Sequence, residues 1–149
     1  MILLAHVTTG AVIGLKFQDP TIVILLSFLS HFILDRLPHW NYDVPKKAKS
    51  QAFLTMLPDI IPTVLVWLVF IFTYPDHWLI ISVGVAFAIL PDFISLGWYF
   101  PSLKKIVLPF LKFHKMIQGE ISKKYNRALW GLSSQIIYLT LLILFFIKF

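Results

Sequence analysis

Residues Trp78–Gly97 read WLIISVGVAFAILPDFISLG, with Asp92 as the only ionisable side chain. A helix of about 20 residues is about 30 Å long, which is the thickness of a bilayer's hydrocarbon core. A helix on the surface of a soluble domain keeps a polar face, and this stretch has none. It reads as a membrane span.

Working outward, Phe53–Tyr74 and Ala128–Phe149 have the same character. Ile2–Phe17 and Thr21–Leu37 are shorter, marginal against the range of about 17–25 residues that a span needs. They read either as short spans or as a buried helical hairpin. Met1–Phe17 has no basic leader and no small-residue cleavage site, and it carries His6, so it is read as part of the mature chain. The whole chain agrees with this class. Of its 149 residues 58% are hydrophobic and 13% charged, with a mean hydropathy of +0.82. A soluble domain has about 45–50% apolar residues and about 25% charged ones. The expectation is an all-α, polytopic transmembrane bundle of five helices forming one domain over residues 1–149. The absence of cysteine excludes disulfides and thiolate metal sites.

The formal net charge is +6, and 11 of the 13 basic residues fall in two long loops, Arg36–Gln51 and Trp98–Arg127. The turns near Asp19 and Pro75–His77 hold almost none. The positive-inside rule puts both basic loops in the cytoplasm, with the N-terminus inside and the C-terminus outside. Lysines so placed point to membrane lipids and anionic headgroups as partners, not to nucleic acid. The second loop is expected to hold an amphipathic surface helix over Ser102–Ser122, with Leu103, Ile106, Val107, Phe110, Phe113 and Ile117 at helical spacing.

Ionisable groups inside a span cost roughly 2.5–3.5 kcal/mol each and need a reason. Counting from the cytoplasmic boundary puts His6, His31, Asp59 and Asp92 roughly 6–9 Å deep and Asp35 and His39 at the cytoplasmic end of their span, together one layer, with His114 on the surface helix beneath it. The densest piece is His31-Phe-Ile-Leu-Asp35-Arg-Leu-Pro-His39. His31 and Asp35 share a helix face at i,i+4, and His39 lies one turn beyond, after Pro38. Imidazole and carboxylate in this arrangement suit zinc, manganese or iron, and the seven groups are enough for two or three ions. Hydrogen-bonded His–Asp pairs that lock helices together are the plainer alternative. Met56-Leu-Pro-Asp59-Ile60 and Ile89-Leu-Pro-Asp92-Phe93 form a faint repeat, in which a proline frees backbone carbonyls beside an acid. Asp59, between Pro58 and Pro62, is the expected general base. Lys115, Gln118 and Trp40 are the expected substrate contacts. His77 sits at the outer turn and has no expected role.

The His31–His39 segment resembles the histidine–aspartate–histidine segment of the zinc-dependent phospholipase C and P1-type nuclease superfamily. Those soluble helical enzymes cleave phosphate esters at a trinuclear zinc cluster. Met1 stands where that pattern has an N-terminal tryptophan ligand, and the nearest acid after His114 is Glu120. Over most of its length the chain resembles small bacterial integral membrane proteins known as membrane-bound metal-dependent hydrolases. The shared features are the early His6, Ser30-His31-x-x-x-Asp35 and the Leu-Pro-Asp motifs. This resemblance implies a multi-pass protein of the bacterial cytoplasmic membrane. The expected activity is metal-dependent hydrolysis of a lipid phosphate ester at the cytoplasmic face. A metal or proton transporter and a non-enzymatic membrane scaffold are the competing readings.

Overall fold

The computed structural model describes residues 3–37, 39, 49–124 and 128–148. They form six helices, α1 (Leu3–Phe17), α2 (Pro20–Arg36), α3 (Lys49–Thr73), α4 (Trp78–Leu96), α5 (Lys104–Lys124) and α6 (Ala128–Lys148), with no strand among them. The all-α expectation holds. Single 3-10 turns at Pro75–His77 and Gly97–Tyr99 flank α4.

Local chemistry sets the helix ends. Gln18 takes a left-handed φ of 49° in the tight turn after α1. Asp19 then caps α2, its side chain accepting from the Ile22 N–H at 3.0 Å, and Pro20 fills the first turn, where no N–H is needed. α2 stops at Leu37, whose backbone is extended, as a residue before proline prefers.

α1 is the axis of the bundle, with Ala5 to Val12 buried without a break. Its closest neighbour is α4, which runs antiparallel to it. A Cβ on Gly10 would overlap the Gly84 carbonyl, and a Cβ on Gly84 would overlap the Gly10 carbonyl. Small residues let the two backbones touch. Around this contact Val7, Ala11, Ile81 and Val85 form a core, with Trp67 and Phe70 of α3 packed on it. On another side, Ala5 and Leu34 meet Tyr138 and Leu139 of α6, and the Tyr138 hydroxyl lies 2.6 Å from Thr9 Oγ1. In the expected hairpin, therefore, only α1 is buried all round. α2 exposes Leu25, Leu29 and Ile33.

The polarity of the molecule is inverted. His6, Ser27, His31, His39 and Asp35 are among its most buried side chains, whereas Leu65, Val69, Phe72, Ile136 and Leu144 are exposed. Two helices are long and apolar enough to cross a membrane. Met56–Thr73 has a mean hydropathy of 2.0 and Pro75–Tyr99 one of 2.2, and only 6% of the first is buried by other parts of the chain. α1 and the Ser133–Phe145 part of α6 are apolar but shorter. The surface helix forms over Lys104–Lys124, two residues later than expected. Val107 and His114 turn inward, and Phe110 and Phe113 pack against Phe32 of α2.

Candidate metal centre

Three helices meet at one point. α2 brings His31 and Asp35 from one face, α4 brings Asp92 just after the Pro91 interruption, and α5 brings His114 from below. One donor atom from each of these four side chains lies within 4.8 Å of the other three. His31 Nε2 is 3.2 Å from His114 Nε2, 3.3 Å from Asp35 Oδ2 and 3.8 Å from Asp92 Oδ1. His114 Nε2 is 2.8 Å from Asp35 Oδ2. Four donors at about 2.1 Å from a tetrahedral ion stand about 3.4 Å apart. The spacings scatter about that value, so the group could hold a single divalent ion after small side-chain adjustments.

The outer hydrogen bonds decide the tautomers. His31 Nδ1–H donates to the Ala88 carbonyl at 2.7 Å, which leaves Nε2 with its lone pair. Ser95 Oγ donates to the Pro91 carbonyl at 3.0 Å, so it accepts from His114 Nδ1–H, also at 3.0 Å. His114 Nε2 is then a lone pair as well. Two lone pairs 3.2 Å apart, facing the Asp35 carboxylate, repel unless a cation lies between them. Metal-ligating histidines characteristically donate the other ring N–H to a carbonyl, carboxylate or water. Gln118 Nε2 donates to Asp35 Oδ2 at 3.0 Å and steadies the carboxylate.

The remaining expected residues fall around this centre. His6 stacks on His31 with ring centroids 4.2 Å apart, and its Nε2 is 3.4 Å from Asp35 Oδ1. It is 0% exposed, and neither ring nitrogen makes a well-formed hydrogen bond among the described residues. His39 is also buried, with its Nδ1–H donating to the Leu37 carbonyl at 2.7 Å. Burial holds the His39 imidazole below the ordinary histidine pKa, in the neutral form that a metal requires. Neither His6 nor His39 belongs to the group of four.

Asp59 is placed differently from Asp92. Its Oδ2 accepts from the Leu3 N–H at 2.7 Å and its Oδ1 from the Leu4 N–H at 3.3 Å. A carboxylate from α3 thus satisfies the free N–H groups at the start of α1, where the helix dipole also favours it. Asp92 is 39% exposed and stands on the wall of a cleft of about 1030 Å³ between α3 and α4. Lys115 and Gln118 line the same cleft. Trp40 lies outside the described residues. His77 is at the opposite end, 3.5 Å from Gln18.

Sequence reasoning did not single out Ser95 or the Ala88 carbonyl. Ser95 stands four residues after Pro91, and its place in that interrupted turn was the available signal. Comparison of the chain with protein-family models, with curated proteins and with solved structures finds no match to any of them.

Proposed function

We propose that this protein is a multi-pass enzyme of the bacterial cytoplasmic membrane, and that it uses a divalent metal to hydrolyse a lipid phosphate ester at the cytoplasmic face. The observation that carries the reading is the pair of Nε2 lone pairs of His31 and His114, turned on one point beside Asp35 and Asp92. Lipid as the surrounding solvent follows from the inverted polarity, because exposed leucine and phenylalanine cost nothing there. The two long apolar helices support a membrane location, and the basic loops favour the five-span reading with the N-terminus inside.

His31, Asp35 and His114 would hold a divalent ion, zinc or else manganese or iron, which when bound would supply Lewis acidity toward water and a phosphoryl oxygen. Asp92 is the carboxylate of the group that reaches the cleft, and it takes the proton from the attacking water. Asp59, the acid expected in that role, keeps the N-terminus of α1 in place instead. His6, 3.4 Å from Asp35, and the buried His39 are further donors that a second ion could use. Lys115 attracts the anionic headgroup.

One observation favours the scaffold reading. A His114 imidazolium donating to Asp35 would also satisfy the 2.8 Å contact. The test is incubation of metal-replete protein with total bacterial lipid extract in detergent. Released headgroup or phosphate, detected by mass spectrometry and absent with Asp92→Asn, is the expected result. A preparation that holds its metal but releases nothing from any lipid overturns the enzymatic reading.

A further inference from the structure

The cleft beside the metal centre is longer than the chemistry alone requires. One wall is the α3 face through Asp59, Thr63 and Trp67, and the other is the α4 face through Ser82, Ala86 and Asp92. Asp59, Thr63 and Trp67 recur four apart, and Ser82, Ala86, Ile89 and Asp92 three or four apart, so each set forms a stripe on one side of its helix. α5 closes the end nearest the metal centre with Lys115 and Gln118. The far end is crossed by a hydrogen bond from Trp67 Nε1–H to Ser82 Oγ at 3.1 Å. From Asp92 to Ser82 is about 15 Å along α4, half of the roughly 30 Å hydrocarbon core. Starting from a ligand layer roughly 6–9 Å deep, the cleft therefore passes the middle of the bilayer and ends about 21–24 Å from the cytoplasmic boundary.

Its wall carries a buried polar atom that has no partner among the described residues. Thr63 is 5% exposed, and its Oγ1 makes no hydrogen bond to any of them. A buried hydroxyl left unsatisfied costs about 1–3 kcal/mol, so a ligand acceptor at that point has something to gain. Thr63 lies one turn, about 6 Å, below Asp59 on α3. In a glycerophospholipid an acyl ester carbonyl lies just below the phosphate, and the hydrocarbon tail continues from it.

We propose that the cleft holds one acyl chain of a glycerophosphate lipid, with its phosphate beside Lys115 and Gln118, its ester carbonyl on the Thr63 hydroxyl and its tail ending at the Trp67–Ser82 bridge. This rests on the hydrolase reading for the meaning of the phosphate, but tail binding does not depend on turnover. It separates acylated phosphates from isoprenyl phosphates, which have no carbonyl to offer.

Binding is read by quenching of Trp67 with a monoacyl glycerol phosphate brominated on its chain. Trp40, Trp78, Trp98 and Trp130 are replaced by phenylalanine in the full chain in detergent, with metal content and melting temperature as fold controls. The expected result is saturable quenching, competed by the unbrominated lipid and not by glycerol phosphate. Ala86→Phe, which fills the cleft, weakens it at least tenfold, and Val64→Phe on the opposite wall does the same should Ala86→Phe fail to fold. Thr63→Val weakens binding several-fold for the acyl ester and not for its alkyl-ether analogue. Lys115→Gln weakens binding of the phosphate lipid and not of the neutral monoacylglycerol. Quenching that rises without saturation, or that survives both filling variants, is ordinary contact with surrounding lipid and overturns the proposal. Equal effects of Thr63→Val on ester and ether overturn the carbonyl assignment. Saturable binding without hydrolysis upholds the cleft and sinks the enzyme. Hydrolysis that is indifferent to tail length does the reverse.

Discussion

Ser95→Ala removes the acceptor that fixes the His114 ring while leaving the four side chains of the candidate centre, His31, Asp35, Asp92 and His114, in place. In the native protein the Ser95 hydroxyl is committed to the Pro91 carbonyl, so the serine oxygen can only accept from His114 Nδ1–H. Without it the ring is free to carry its proton on Nε2, the atom that must face the ion. Loss of such an outer partner costs about 10–100-fold in metal affinity. That is about 1.4–2.7 kcal/mol. At saturating metal the same amount disappears from the ion's contribution to folding stability. For a chain of 149 residues it corresponds to a fall of roughly 3–10 °C in melting temperature, at about 2–4 °C per kcal/mol. The assay is a pair of thermal melts in detergent, with zinc and with chelator, beside a competition titration for zinc affinity. The reasoning gives a deficit that is large with zinc and small with chelator. Equal deficits in both, or unchanged zinc affinity, would refute the assignment of tautomers.

Other consequences can be checked directly. Gly84→Val drives a branched side chain into the Gly10 carbonyl with no flexible group to yield, and should destabilise by at least about 3 kcal/mol in a denaturant titration that leaves Ala86→Val nearly unchanged. Asp92→Asn should keep one metal and lose turnover by about 10²–10⁴-fold, whereas Asp59→Asn, still able to accept from Leu3 N–H, should stay within a few-fold of wild type. Single cysteines at Lys47 and Lys123 should be labelled from the cytoplasmic side and one at Pro75 from the other. Labelling of Pro75 and Lys47 from one side would break the five-span topology.

Much of the site was legible because an ionisable side chain inside a long apolar stretch is conspicuous. His31 and Asp35 could be put on one face by their i,i+4 spacing, and depth counting brought Asp92 and His114 to the same level. Depth does not determine rotation about the helix axis, which is why Asp59 and Asp92 looked equivalent. Their Leu-Pro-Asp motifs are nearly identical, yet Asp59 meets the first turn of α1 and Asp92 meets His31. The Gly10–Gly84 contact sets that rotation for α1 and α4, and a glycine in an apolar span does not announce its partner. Ser95 and the Ala88 carbonyl were illegible for a related reason: a serine in a span is common, and a carbonyl leaves no trace in sequence. The helix limits were easier, since Asp19-Pro20 and Leu37-Pro38 mark the ends of α2 chemically.

The central claim is that His31, Asp35, Asp92 and His114 form a metal site, and the most direct measurement is elemental analysis of the protein purified in detergent without added metal, beside the double variant His31→Ala, Asp35→Ala. The account predicts at least one equivalent of zinc, manganese or iron per chain in the native protein and almost none in the variant. Equal metal content in the two proteins, or none in the native protein even after zinc is supplied, would contradict it.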